Sequence, residues 1–375
     1  MIIAVNARML SQRTPGGVVR YSYETLRRIT NQHPEHKFIF IVDRPFPGKR
    51  LFPDNVAVVR TFPSFHPVLW YPWFEAAVPK ILKNYHADLF LSTDGFTSLS
   101  TDVPAVIVIH DLNFCHYPKD MPVLHSKYFN YFFPKYSKKA TVIATISEHS
   151  KKDIVNLYHQ PPHKITVTYC GTTEEFRPLP EIEKEKVRQE LTDGVRYFLY
   201  VGSLHPRKNL VRLIKAFEKC KDDIPSNVKL VLAGPKMFKT ADINKTWNQM
   251  KYKADVLFTG TVSQEKLAKI YGSALALVFV SYFEGFGIPL LEAMHCDVPI
   301  IASTRTSIPE ICGDAAYFVD PFSVSDIAAA MKTVFLDESL RNALVQRGRI
   351  RKNYFSWDRT ADLLWECVER AMVQT

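Results

Sequence analysis

Tyr197-Phe-Leu-Tyr-Val-Gly-Ser-Leu-His-Pro-Arg-Lys-Asn-Leu-Val-Arg-Leu-Ile-Lys-Ala-Phe-Glu-Lys-Cys220 changes its hydrophobic rhythm once, and that change decides the fold. Tyr197 to Val201 is an unbroken apolar run, the pattern of a strand covered on both faces. From Leu210 to Cys220 the apolar residues recur at helical spacing. Between them lie Gly202 and the loop Pro206-Arg207-Lys208, with Asn209 standing where a helix N-cap is expected. Strand, short loop and helix form the unit of a parallel α/β sheet.

Working outward, the same grammar recurs on both sides. Downstream, strands are expected at Lys229 to Ala233, Val256 to Thr259, Ala276 to Val280, Pro299 to Ala302 and Ala316 to Val319. Upstream they fall at Ile2 to Asn6, Phe38 to Val42, Val56 to Arg60, Leu89 to Ser92, Ala105 to His110, Thr141 to Thr145 and Ile165 to Thr168. Helical stretches separate several of them, one opening at Gly16-Gly17 and one N-capped by Ser147. The charged, proline-bearing stretch Glu174 to Asp193 breaks the rhythm, so the domains are expected at 1–180 and 193–357. A chain of 375 residues exceeds the usual size of one core, which agrees with two doubly wound domains facing a cleft. Ligands of such sheets bind outside the carboxyl ends of the strands.

Composition narrows the function. The six cysteines are scattered, without a C-x-x-C pair, and read as buried thiols of a reducing compartment. No apolar run approaches the roughly 18 residues that cross a bilayer. Met1 to Val5 enters a strand directly, so a cytoplasmic protein is expected rather than a secreted one. The net charge of +10 is concentrated in residues 1–170, where 20 Lys and Arg face 12 Asp and Glu. Such a basic face attracts anionic lipid, phosphorylated acceptors or nucleic acid, and charge alone does not choose among them. The aromatic and basic stretch Tyr128 to Lys139 suits either a core helix or a membrane interface, and Phe62 to Phe74 an acceptor-side loop.

The most informative segment is Glu284-Gly-Phe-Gly-Ile-Pro-Leu-Leu-Glu292, after the strand Ala276 to Val280. Pro289 suits a first helical turn, which places Glu284 in a loop and Glu292 in the opening turn of the helix. Gly285 and Gly287 let backbone amides approach a ligand, and unpaired amides at a helix start attract anions. Two carboxylates beside an anion site make sense when the ligand carries both phosphates and hydroxyls, as a nucleoside diphosphate sugar does. Spacing alone leaves open the plainer reading of a solvated Glu284 and a Glu292 that only favours its helix end. Arg207 and Lys208 would neutralise a diphosphate, or else form a solvated basic loop. Gly16-Gly17 offers amides to a phosphate or an ordinary turn. His110-Asp111 ends a strand at the cleft edge, where His110 is either functional or a satisfied structural histidine. There is no Asp-x-Asp pair to carry a metal, no Walker loop, no dinucleotide fingerprint and no G-x-S-x-G elbow.

Taken together, these segments resemble the retaining glycosyltransferases of family 4, the "group 1" family, mannosyltransferase-like members included, with two Rossmann-like domains in the GT-B fold. The resemblance rests on Glu284 and Glu292 as the family's Glu-x7-Glu motif, on Val201-Gly-Ser-Leu-His-Pro-Arg-Lys-Asn209, on Gly260 with Leu267 and Tyr271, and on Ile308-Pro-Glu-Ile-Cys-Gly313. It implies an acceptor-side first domain, a donor-binding second domain, and a last helix, 358–375, packed back on the first. It implies that Glu284 with the amides of Gly285, Phe286 and Gly287, followed by Ile288, holds hexose hydroxyls; that Glu292 binds ribose; and that Lys208, beside Gly202 and Ser203, contacts the diphosphate. His110 would lie beside the transferred sugar and Gly16-Gly17 near phosphates or acceptor. Many members carry Arg where this chain has Ser203, and Arg207 is the candidate replacement. The implied activity is transfer of a hexose, mannose among the options, from a nucleotide-sugar donor to a saccharide or lipid-linked acceptor. No cofactor or metal and no nucleic-acid partner is expected, and the enzyme would be peripheral at the inner membrane face. A nucleotide-sugar epimerase and a non-catalytic sugar-nucleotide-binding protein are the competing readings.

Overall fold

A computed structural model describes residues 1–12, 16–224, 227–237 and 240–373, the side chain of residue 47 excepted. The chain divides into two compact units, Met1–Gly171 with Phe355–Thr375, and Thr172–Tyr354. The boundary thus falls before the charged stretch and not within it. Residues Glu181–Thr192 form a helix of the second unit, because its charges line a solvent face while Thr192 is buried.

The first unit is built on strands β1 (Ile2–Asn6), β2 (Lys37–Val42), β3 (Val56–Arg60), β4 (Leu89–Ser92), β5 (Ala105–Ile109), β6 (Val142–Thr145) and β7 (Ile165–Val167). They pair in parallel in the order β3-β2-β1-β4-β5-β6-β7. Strands β4, β5 and β6 are buried at every position, as their Val, Ile and Leu content requires. The stretch Tyr128 to Lys139 lies in the helix Val123–Lys139, where Tyr128, Phe133 and Tyr136 join the core. Of the stretch 62–74, Trp70, Trp73 and Phe74 are likewise core residues. The helix Trp357–Val373 packs on the helix Gly17–Gln32 and against β4, β5 and β6. Trp357 and Leu364 are buried there, and the Thr360 hydroxyl donates to the Tyr169 carbonyl.

The second unit repeats the plan with β8 (Tyr197–Val201), β9 (Lys229–Ala233), β10 (Val256–Gly260), β11 (Ala276–Phe279), β12 (Ile300–Ser303) and β13 (Tyr317–Val319), in the order β10-β9-β8-β11-β12-β13. All pairings are again parallel. In each sheet the order reverses beside the first strand, between β1 and β4 and between β8 and β11. Loops leaving those strands diverge to opposite faces and open a crevice at the sheet's carboxyl edge. The alternation of apolar runs and helices therefore translates directly into the Rossmann-like architecture. Among the described residues, no helix is long and apolar enough to cross a membrane.

Glycine sets how closely the loops of the second crevice can approach. Gly234 holds φ +145°, and a Cβ there would collide with the Gly202 carbonyl oxygen. The backbone stays tied across this contact, since the Gly202 amide donates to the Ala233 carbonyl at 2.9 Å. Gly234→Ala should therefore lower stability by about 2 kcal/mol or more, read as a fall in urea midpoint, whereas Gly16→Ala, with open space around its Cβ position, should change it little.

Candidate active site

The crevice of the second unit brings the two basic residues and the first carboxylate together. Lys208, at the end of the loop after β8, donates from Nζ to Glu284 Oε1 at 2.5 Å, and Arg207 donates from Nη1 to Glu284 Oε2 at 2.8 Å. Glu284 sits in the loop after β11, so the pairing spans the point where strand order reverses. Lys208 and Glu284 are 7% and 5% exposed, which rules out the plainer picture of solvated loops. Burial alone would raise the Glu284 pKa. The charges of Lys208 and then Arg207 outweigh it and hold the carboxyl down to about 2.

Neighbouring elements fix this arrangement. Arg207 also donates to the Phe283 carbonyl, and the Tyr282 amide donates to the Arg207 carbonyl, stitching one loop to the other. Asn209 does begin the helix Leu210–Asp223, yet it does not cap it with its side chain. Its backbone is left-handed at φ 63°, and its amide donates instead to the carbonyls of Val280 and Pro321 at 3.0 and 2.6 Å. The side chain is needed to bind the β11 loop, and Asn tolerates this conformation better than most residues. On the far side, Thr306 Oγ1 accepts from the Glu284 amide at 3.0 Å, and Ser307 Oγ donates to the carbonyls of Glu284 and Phe286. Thr306 has φ 54°, a strained setting for a β-branched residue, and such strain is retained where a side chain must be aimed. Sequence reasoning missed Thr306 and Ser307. The signal was their place, two hydroxyls following β12 and directly preceding Ile308-Pro-Glu.

Gly285, Phe286 and Gly287 are buried in the same loop, and Gly287, at φ +104°, leads into the helix Ile288–His295 with Pro289 in its first turn. Glu292 lies one turn deeper than the opening turn, so the helix end does not hold it. Tyr271 does, donating its hydroxyl to Glu292 Oε2 at 2.8 Å in a buried contact. Gly202 and Ser203 start the β8 loop beneath the cationic pair, and the Tyr200 hydroxyl donates to the Ser203 carbonyl.

The remaining residues belong to the first unit. His110 donates from Nε2 to the Thr93 carbonyl at 2.8 Å, which leaves Nδ1 as the acceptor nitrogen of the neutral ring. Burial depresses its pKa, so the ring is neutral at pH 7. Tyr21 meets it edge-on at 5.0 Å, and Tyr21 stands on the helix that Gly16 and Gly17 begin. Residues 13–15, which lead into Gly16, lie outside the described residues. The first unit also holds a pair that the sequence did not announce. Arg8 Nε donates to Asp94 Oδ2 at 3.0 Å, both residues are buried, and Asn6 and Ser92 donate to the other carboxylate oxygen.

Residues 181–351 match the family described as "Glycosyl transferases group 1" and residues 15–176 the one described as "Glycosyltransferase Family 4". The chain is 29% identical over 255 residues to O-antigen chain mannosyltransferase B of Escherichia coli, covering 68% of this chain and 67% of that one. It is 26% identical over 242 residues to the serotype-specific mannosyltransferase WbdA of the same organism, covering 63% of this chain but only 29% of the relative's length. Among solved structures it resembles HepE of Anabaena in complex with UDP and glucose, with a TM-score of 0.75, 18% identity, and 98% and 99% of the two chains covered. That likeness shows the fold, the two-domain GT-B fold expected from the sequence.

The buried ion pair makes stability depend on acid. Because folding lowers the Glu284 pKa from 4.5 to about 2, its contribution is fully present above pH 4.5 and is lost as pH falls toward 2. Glu284→Gln leaves two cations without their carboxylate and should cost about 3 kcal/mol at pH 7. In urea titrations the gap between parent and variant should narrow between pH 4.5 and 2. A gap that stays constant with pH would contradict the ion-pair account.

Proposed function

Since this chain belongs to the group 1 glycosyltransferases, we propose that it transfers mannose, with retention, from its guanosine diphosphate form to a saccharide or lipid-linked saccharide of a growing polysaccharide. The single observation that carries the assignment of the donor site is the Arg207–Glu284–Lys208 cluster at the strand-order reversal. The O-antigen mannosyltransferases among the relatives support the choice of sugar and acceptor class.

In the absence of donor, Glu284 satisfies Lys208 and Arg207, and the three side chains together carry one net positive charge. An incoming diphosphate competes for the two cations, and Glu284 is then released toward the hexose hydroxyls. Cations and amides fixed in advance also stabilise the charge that builds on the departing diphosphate, and they need no reorganisation as it does so. With two fixed cations on the diphosphate and no Asp-x-Asp pair in the sequence, transfer proceeds in this reading without a metal. Glu292, oriented by Tyr271, accepts from the ribose. In the first unit, neutral His110 keeps Nδ1 as an acceptor while its Nε2 stays locked on the Thr93 carbonyl. Retention follows from the leaving diphosphate taking the acceptor's proton on the face it departs from.

A lipid-linked acceptor implies a meeting with a bilayer. The helix Val123–Lys139 exposes Leu124, Lys127, Tyr131, Lys135 and Lys138 at helical spacing, with Lys135 Nζ 3.5 Å from the Tyr131 ring centroid. The helix Pro67–Pro72 packs on it and exposes Val68 and Tyr71. Apolar side chains interleaved with lysines fit an anionic lipid surface. The double variant Tyr131→Ser, Lys135→Glu should lose co-sedimentation with phosphatidylglycerol vesicles while keeping its donor affinity. Undiminished sedimentation would remove this face from the reading.

The test of function is incubation of the chain with GDP-mannose and a lipid-linked saccharide extract. Release of GDP only when acceptor is present, unaffected by EDTA, is the expected result. An isomerised donor would point to epimerisation, and donor binding without turnover to a binding protein. Lys208→Ala should lower kcat about 100-fold, and Glu292→Ala should raise the donor KM about tenfold. Full activity in both variants would sink the site assignment.

A further inference from the structure

Far along the sequence from the donor loops, in the first unit, the turn between the helix Gly17–Gln32 and β2 reads His33-Pro34-Glu35-His36. The donor atoms of His33, Glu35 and His36 converge, all lying within 4.8 Å of one another. Glu35 Oε1 is 3.6 Å from His33 Nδ1 and 3.2 Å from His36 Nε2. Ligands bound tetrahedrally to zinc at about 2.0–2.1 Å are separated by about 3.3 Å, so these spacings already match edges of the coordination polyhedron.

A second observation sets this trio apart from a chance surface cluster. Both imidazoles lie against one indole, that of Trp365 on the last helix. His33 stacks on it at 3.6 Å and 16°, and His36 at 5.2 Å and 22°, so the two imidazole planes are within 9° of each other. Trp365 is itself buried and pinned, its Nε1 donating to Glu369 Oε1 at 2.9 Å. The turn's backbone is fixed as well, because the His33 amide donates to the Ile29 carbonyl, the His36 amide to the His33 carbonyl, and Asn55 Nδ2 to the same His33 carbonyl. Two imidazoles with few rotamers left to lose, joined by one carboxylate, make a preorganised set.

We propose that His33, Glu35 and His36 form a zinc site, with three protein ligands and a fourth position for water. Two nitrogen donors and one carboxylate suit zinc and exclude magnesium and calcium, which take oxygen ligands. The ion would cross-brace the start of β2 and, through the stacked rings, the C-terminal helix that packs on the same unit. It would play no part in sugar transfer, for which no metal is invoked.

The experiment is calorimetric titration of the EDTA-treated full chain with zinc chloride, alongside Glu35→Gln and His36→Gln. Glu35 is 59% exposed, so its substitution leaves the fold intact. One zinc per parent chain, a rise in Tm on binding, and affinity weakened about tenfold or more in both variants are expected. No binding by the parent, or parental affinity retained in either variant, overturns the site. Magnesium chloride in place of zinc should produce no heat beyond dilution, and a magnesium affinity equal to that for zinc would overturn the ligand assignment.

Discussion

The crevice of the second unit depends on the buried contact between Lys208 and Glu284. Removing two charges from water costs several kcal/mol each, and a single contact does not repay that. Here the carboxylate divides its oxygens between Lys208 and Arg207, and the loops that carry all three are tied by Tyr282, Asn209, Thr306 and Ser307. The network fixes both loops in one geometry with the cations already gathered. In the proposed function, an anionic ligand exchanges for the Glu284 carboxylate with little ordering left to be done.

Much of this was legible in the sequence. Each expected strand is present within a residue or two, because apolar runs buried on both faces tolerate no polar interruption and their ends are marked by Gly, Pro or Asp. The residues of the cluster were also nameable, since a Gly-rich loop and a basic loop each follow a strand. The contacts between them were not. Asn209 obeyed the statistics of helix starts by position, but its amide was claimed by carbonyls 71 and 112 residues away, which no local rule contains. Glu292 shifted by one turn because the helix begins at Ile288, and its partner Tyr271 lies across a separate element. The boundary at Gly171 was hidden by the charge of Glu181–Thr192, a helix whose mostly solvent-facing surface reads like a linker. What escaped within the site was tertiary pairing between residues distant in the sequence.

The two units solve the same geometric problem with opposite outcomes. In each, a cation shortly after the first strand meets a carboxylate shortly after the strand on the other side of the reversal: Arg8 with Asp94 after β1 and β4, Lys208 with Glu284 after β8 and β11. Both pairs are buried, with exposures of 4% and 8% in the first case and 7% and 5% in the second. In the first unit the charges match one to one. Asp94 is also satisfied by Asn6 and Ser92, and the Arg8 guanidinium is covered by the rings of Phe96 at 4.2 Å and Phe74 at 5.0 Å. A balanced pair walled by aromatics has no charge to offer a ligand, and it braces the loops of its own crevice. In the second unit a second cation, Arg207, shares the carboxylate, and the loop that carries Glu284 sets Gly285 and Gly287 among buried rings such as Phe283 and Phe286. The same topological position thus holds a one-to-one ion pair in the first unit and a carboxylate shared by two cations in the second. The loop sequence, and not the fold, decides which of the two crevices gathers a second cation.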